Sequence, residues 1–187
     1  NSALPSIFGS SALYSDLSRQ PPLQSLSDLA CTSPPTDCRW ANAGTTKNAA
    51  WRLGTNTDLW HKLMSTSVTA PRPSGNFIFL AVDGLTQRPF ARFVSDLIPC
   101  TKKPSTLTFK YWTKLGTQVE VCSIDEDDIP LSCAYLIDED QPGPVNIDID
   151  AFNKPFRFSF EIITFDVPNG GLAAIADLHV KGVLCSE

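Results

Sequence analysis

The 187-residue sequence lacks several features that mark common functional classes. It has no apolar run near the ~20 residues that a transmembrane helix needs, so we expect no membrane span in this chain. It holds 15 basic against 20 acidic residues, and the resulting net charge of -5 argues against a nucleic-acid partner. It also has no C-x-x-C pair and only two histidines, so we predict no metal site and no cofactor.

Catalytic motifs are missing as well. There is no G-x-S-x-G, no H-E-x-x-H and no P-loop, and the two histidines are His61 and His179. His179 lies in an alternating segment, which is typical of a structural or surface residue. We therefore predict that the chain is not an enzyme. A pair of carboxylates serving a glycan-processing reaction is the remaining catalytic alternative.

What is present indicates one folded, oxidised domain. Hydrophobic residues make up 42% of the chain, enough for a core. Six cysteines beside a single methionine and 15 prolines favour an extracellular compartment, either secreted or in the ectodomain of a membrane protein. Residues 1–30 contain no cysteine or tryptophan and are interpreted as an N-terminal extension, flexible or docked. The domain itself is predicted to span 31–187.

The hydrophobic pattern after Cys31 is that of β-strands. Short segments alternate between apolar and polar residues, are separated by Pro- and Gly-rich turns, and leave no room for a long helix. The predicted strands are Asn76–Val82, Arg92–Ile98, Leu107–Trp112, Gln118–Ile124, Val145–Ile149, Phe156–Ile162 and Leu172–Val183. This pattern predicts an all-β, antiparallel sandwich or barrel.

Two groups of residues are candidates for partner binding. Trp40, Trp51 and Trp112 are expected in the core, whereas Trp60 precedes His61 in a polar stretch and is predicted to be an exposed interface anchor. The acidic run Asp125, Glu126, Asp127 and Asp128 lies among turn residues. Its order does not match an EF-hand loop, so we interpret it as a solvated loop that favours a basic partner rather than as a Ca²⁺ site.

The order of several short motifs is similar to one known family. The sequence has Cys31 and Cys38 followed by Trp40, then further blocks along the chain, and a final Cys185. The blocks are Gly75–Ala81 (GNFIFLA), Ala91–Ser95 (ARFVS), Leu107–Trp112 (LTFKYW), Phe156–Glu161 (FRFSFE) and Gly170–Val180 (GGLAAIADLHV). From Cys31 to Cys185 this order resembles the MAM domain of meprins, neuropilins and receptor tyrosine phosphatases.

The resemblance implies a jelly-roll-like sandwich of two antiparallel sheets and an extracellular adhesion module. It also implies the disulfides Cys31–Cys38 and Cys100–Cys185. Cys122 and Cys133 remain, and six cysteines allow 15 connectivities. The chain departs from the family in its carboxylates, because Thr32, Ser33 and Pro34 follow Cys31 and only Asp177 represents the paired acids near the end. A family cation site is therefore not expected.

These observations lead to a main function and an alternative. The main prediction is a MAM-like protein-interaction or adhesion module that binds another cell-surface or extracellular protein, either homophilically or heterophilically. The alternative is a carbohydrate-binding jelly-roll module, and a third interpretation is a structural spacer. Exposed aromatic rings beside carboxylates in a groove would favour the carbohydrate module, whereas a flat apolar or charged patch would favour the protein module.

Overall fold

The architecture was obtained as a computed structural model that describes residues 20–32, 34, 38–43, 49–55, 71–83, 90–137, 140–166 and 169–187. These residues form one short 3-10 helix, Leu26–Leu29, and ten β-strands. The strands are β1 (Trp40–Ala43), β2 (Arg52–Gly54), β3 (Phe77–Val82), β4 (Arg92–Ser95), β5 (Ser105–Thr113), β6 (Gln118–Ile124), β7 (Pro130–Leu136), β8 (Val145–Ile149), β9 (Arg157–Thr164) and β10 (Gly171–Lys181).

The strands form two five-stranded antiparallel sheets. The first sheet has the order β1-β4-β9-β6-β7 and the second has the order β2-β3-β10-β5-β8. Most neighbours are distant in sequence, which is typical of a jelly-roll-like sandwich and differs from a simple meander. The predicted fold class, an all-β sandwich of two antiparallel sheets stapled by disulfides, is confirmed.

The core lies between the two sheets and is made by alternate residues of each strand. Phe156, Phe158 and Phe160 are fully buried, as their alternation with polar residues predicts. Phe160 meets the ring of Phe109 from the opposite sheet edge-on, with centroids 5.1 Å apart. Such aromatic pairs add to the free energy of area burial and hold the two sheets together.

Three tryptophans are buried, as predicted, and each satisfies its indole nitrogen with a backbone carbonyl. Trp40 donates to the carbonyl of Leu29 at 2.8 Å, and Trp51 donates to that of Ala91 at 3.1 Å. Trp112 donates to the carbonyl of Pro71 at 2.8 Å. Because a buried indole without a partner would be costly, these bonds also tie the loops to the sheets.

Three disulfides staple the sandwich. They join Cys31 to Cys38, Cys100 to Cys185 and Cys122 to Cys133, and no described cysteine is free. The first two pairs are those that the family resemblance implies.

The segment before Cys31 contributes to the core. Leu26 and Leu29 of the 3-10 helix are fully buried, and the helix contacts β10. Ser25 caps the helix, because its hydroxyl accepts the Ser27 amide and the Asp28 carboxylate accepts the Ser25 amide. The part of residues 1–30 that is described, from Gln20 onward, is therefore docked through this helix.

Three strands were not predicted from the pattern. β1 and β2 have four and three residues, too few to show an alternation. β7 begins with Pro130, a residue that weakens a strand signal. The predicted strand Arg92–Ile98 also ends early, at Ser95, and Ile98 instead forms an isolated bridge with Phe156.

Candidate functional site

The predicted partner-binding residues divide into two groups. Trp60 and His61 lie outside the described residues. The acidic run from Asp125 to Asp128 forms the turn between β6 and β7 and is a local structural unit. One oxygen of the Asp125 carboxylate accepts the amides of Asp127 and Ile129, both at 3.0 Å, which is an Asx-type turn.

The charge of Asp125 is stabilised by this turn. The backbone hydrogen bond from Ile129 is the main cause that lowers the pKa of Asp125 below its ordinary value of 3.8. Lys154 adds an ion pair at 3.8 Å. Glu126 and Asp127 are exposed, whereas Asp128 lies 3.9 Å from Arg92. The acidic run is thus partly structural, and Glu126 and Asp127 are the members that face solvent without a described ion-pair partner.

The outer face of the first sheet contains a buried ion pair. Arg92 on β4 contacts Glu161 on the neighbouring β9, with Nε and Oε2 3.2 Å apart. The Glu161 side chain is only 7% exposed, although its alternation with the buried Phe158 and Phe160 places it on the outer face of the sheet. Arg92 covers it, and Glu120 on β6 is its cross-strand neighbour on the other side. This pair belongs to the packing of the sheet, where it is unavailable to a ligand.

The outer face of the second sheet is divided into two halves. One half is apolar and buried, and it consists of Phe77, Phe79, Trp112, Leu172, Ala174 and Ala176, with Ala81 packed against them. The other half lies on β10, β5 and β8 and is polar. We call it the polar face and define it by Thr106, Thr108, Lys110, Asn146, Asp148, Asp177, His179 and Lys181.

The strand register arranges the polar face in rows. His179, Thr108 and Asn146 form one row across the three strands. Lys181, Thr106 and Asp148 form the next row. With adjacent strands about 4.8 Å apart and alternate residues about 6.8 Å apart, the face measures roughly 10 by 14 Å.

Side-chain hydrogen bonds order the rows. The Thr108 hydroxyl donates to the Asn146 side-chain oxygen at 2.7 Å, and the Thr106 hydroxyl donates to an Asp148 oxygen at 2.6 Å. Asn146 and Asp148 are nevertheless exposed. Each keeps further hydrogen-bonding capacity, since an amide carries two N–H donors and a carboxylate has a second oxygen. The face is thus pre-ordered and still able to bind.

A β-bulge lies at the end of the polar face that contains Lys110 and Asp177. The pairing of β10 with β5 shifts between Ala176 and His179, so that two residues on β10 oppose one on β5. Asp177 lies in this bulge with φ of 52°, a left-handed conformation that is costly for a residue with a side chain. Its carboxylate is 46% exposed and pairs with Lys110 at 3.3 Å.

The described residues do not form a metal site. Glu120, Cys122 and Cys133 are close enough together to hold an ion, but the two sulfur atoms are bonded to each other and are not ligands. On the polar face, the carboxylate of Asp177 is engaged by a lysine and Asp148 by a threonine. The arrangement offers donors and acceptors of both charges, which suits non-covalent recognition of a hydroxyl-rich or mixed-charge ligand.

Sequence reasoning found only part of this face. The alternation in Val145–Ile149 correctly placed Asn146 and Asp148 on the polar side of a strand, and Asp177 and His179 were singled out individually. The pattern could not show that β8 pairs with β5 or that β5 pairs with β10, because these contacts join distant segments. The site residues of β5, which are Thr106, Thr108 and Lys110, were therefore missed.

Comparison with known proteins shows a similar fold without a sequence match. The chain matches no protein-family model and no curated protein sequence. Among solved structures, it is similar to the K1 cleaved adhesin domain of Lys-gingipain from Porphyromonas gingivalis W83. The identity is 10%, the alignment covers 85% of this chain and 96% of that chain, and the TM-score is 0.50.

Two further solved structures are similar to this chain at lower TM-scores. One is the N-terminal cellulose-binding domain of Cellulomonas fimi β-1,4-glucanase C, at 12% identity over 87% of this chain and 99% of that chain, with a TM-score of 0.49. The other is the enzymatically active domain of bacteriophage CBA120 tailspike protein 4, at 14% identity and a TM-score of 0.46. This alignment covers 78% of this chain but only 19% of the tailspike. These likenesses concern the fold alone.

In the described part of the chain, no helix has the length and apolar character required to cross a membrane.

Proposed function

We propose that this chain is a non-catalytic recognition module that binds carbohydrate on the polar face. The observation that carries the proposal is the pre-ordered array of exposed donors and acceptors on β10, β5 and β8. Exposed polar side chains that are already fixed by neighbours lose little conformational entropy when a ligand binds. The fold itself does not require Asn146, Asp148 or His179 to have these polar groups, because all three are exposed.

The chemistry of the face suits sugar hydroxyls. Each hydroxyl of a sugar both donates and accepts, and the face alternates acceptors such as Asp148 with donors such as Lys181. His179 adds a planar ring to the polar face. The aromatic side chains of the apolar half, which are Trp112, Phe77 and Phe79, are buried. Because the face is open and not a pocket, we expect weak binding of a single glycan and stronger binding to multivalent glycans.

The disulfides support an extracellular setting for this module. All six cysteines are paired, and structural disulfides persist in oxidising compartments. We infer that the domain is secreted or forms part of an ectodomain.

A glycan array probed with the multimerised domain tests the proposal. We expect a defined set of glycans to bind, and the double variant Asn146→Ala, Asp148→Ala to lose that binding. The matched control is the double variant Glu126→Ala, Asp127→Ala, which removes exposed acids from the turn between β6 and β7 and should bind as the wild type does. Equal loss in both variants, or no loss in the first, contradicts the assignment of the face.

A second candidate function is protein recognition by a divergent MAM-like module. What supports it is the resemblance of the sequence, two of whose blocks lie on the neighbouring strands β4 and β9. Arg92 of the ARFVS block pairs with Glu161 of the FRFSFE block, and the Ser95 hydroxyl of the first block accepts the Phe158 amide of the second at 2.9 Å. A screen against extracellular proteins tests this candidate, and binding of a protein with no glycan binding would favour it.

A further inference from the structure

The edge strands of the two sheets differ in how they are protected. β8 contains Asp148 at its exposed side and is followed by Asp150. β1 is covered by the backbone of Trp51. The Trp51 amide donates to the Asn42 side-chain oxygen at 2.7 Å, and the Asn42 side-chain nitrogen donates to the Trp51 carbonyl at 2.9 Å. β2 has only three residues and includes Arg52. Charges, short length and covering are the usual devices that prevent strand addition.

β7 has little of this protection. None of its seven residues is charged, and its neighbours Ile129 and Ile137 are exposed by more than half. Tyr135 within the strand is 55% exposed. Pro130 protects only the first position. An uncharged edge with exposed apolar side chains is the usual template for pairing with another strand.

The register shows which backbone groups of β7 point to the open edge. Cys122 and Cys133 face each other with Cα atoms 4.1 Å apart, the close spacing of a pair without mutual backbone hydrogen bonds. The backbone groups of Cys133 and, two residues on, Tyr135 therefore point away from β6. One observation agrees, because the Ser132 amide turns toward β6 and bonds the Ser123 hydroxyl. Beyond the end of β7, the Ile137 carbonyl is already engaged by the Asp140 amide and by the hydroxyl of the buried Tyr111, so the open edge ends before Ile137.

The surroundings of this edge define the charge of its partner. Glu126 and Asp127 are exposed at one end of β7, and Asp140 is exposed at the other end. A second copy pairing antiparallel would bring the acidic turn of one copy beside the acidic end of the other, which is repulsive. A strand with an uncharged centre and basic flanks would instead meet opposite charges at both ends.

We propose that β7 is a strand-addition site for an extended peptide segment that has a β-prone, uncharged centre and lysine or arginine flanks. The backbone of Cys133 and Tyr135 supplies the hydrogen bonds, and the flanking acids select the charge. The site lies on the first sheet, whereas the polar face lies on the second sheet, whose edge strand β8 contacts β7.

Titration with two synthetic peptides tests this proposal. The peptide KKVTVTVTKK should bind the domain, and EEVTVTVTEE should bind at least about tenfold more weakly. The variant Tyr135→Pro removes one outward N–H without affecting a bond to β6, and we expect it to weaken binding by about tenfold. The matched variant Tyr135→Thr retains the N–H and should bind within about threefold of the wild type.

Three results would overturn the proposal. They are equal binding of the two peptides, wild-type binding by Tyr135→Pro, and a peptide-free dimer in sedimentation velocity that Tyr135→Pro abolishes. If Tyr135→Pro does not fold, amide hydrogen exchange of the wild type decides instead. Binding of KKVTVTVTKK should slow exchange at Cys133 and Tyr135 and leave Ala134 unchanged, and unchanged exchange at all three refutes strand addition. Glycan binding by Tyr135→Thr should persist in either case.

Discussion

The buried pair of Arg92 and Glu161 gives the most quantitative prediction about this fold. The Glu161 side chain is 7% exposed and the Arg92 side chain is 23% exposed, and their closest atoms are 3.2 Å apart. Replacing Arg92 by Met keeps most of the packing but removes the cation that pairs with a buried carboxylate, which lies next to Glu120. Breaking a fully buried pair costs about 3–5 kcal/mol, and partial exposure of the arginine reduces this to about 2–3 kcal/mol.

A double-mutant cycle measures the pair itself. Urea denaturation, followed by fluorescence of the buried tryptophans, should show a lower midpoint for Arg92→Met with an unchanged slope. The double variant Arg92→Met, Glu161→Met removes both charges, so its loss should be smaller than the sum of the single losses by at least about 1 kcal/mol. As a control, Glu120→Gln removes a like charge beside Glu161 and should leave stability unchanged or slightly raised. Additive single losses, or a cost below about 0.5 kcal/mol for Arg92→Met, would refute this reasoning.

Three further predictions follow from local features. Replacing both Cys100 and Cys185 by Ala should lower the free energy of unfolding by about 4–5 kcal/mol, and removing the disulfide between Cys122 and Cys133 should lower it by about 3 kcal/mol. The difference is expected because the first disulfide closes a loop of 85 residues and the second closes a loop of 11. A larger loss for the second variant in urea denaturation would contradict the dependence on loop length. Asp125→Asn should lower the melting temperature at pH 7, and its difference from the wild type should narrow as pH falls below 3.8. The reason is that a carboxylate with a lowered pKa stabilises the fold only while it is ionised. A difference in melting temperature that does not change with pH would exclude the charge as the cause. The free energy of unfolding of Asp177→Gly should exceed that of Asp177→Val by at least about 1 kcal/mol, because only glycine adopts the left-handed backbone freely. Equal free energies for the two variants would show that the backbone of the bulge is not strained.

Much of the fold was predictable because burial is periodic within single strands. The alternation of phenylalanines in β9 and the pattern in β5 indicate buried faces without any knowledge of neighbours. The burial of Trp40, Trp51 and Trp112 followed from their size. Local chemistry of this kind depends on residues that are close in sequence, which is why it can be read from the sequence.

The candidate site was less predictable because it depends on strand order. Thr108 becomes a site residue only because β5 lies between β10 and β8, and nothing in its own segment indicates this. The bulge at Asp177 is equally invisible, since no glycine marks it. The acidic run was recognised, but its pattern does not show that the Asp125 carboxylate accepts hydrogen bonds from the amides of Asp127 and Ile129.

Nuclear magnetic resonance tests directly whether a glycan binds on the polar face. An ¹⁵N-labelled sample would be titrated with a glycan from the array, and shifts of the backbone amides would be followed. We expect the largest shifts at residues 106–110, 146–148 and 177–181, the three segments that form the polar face. Shifts confined to the first sheet, or no saturable shifts with any array-positive glycan, would contradict it.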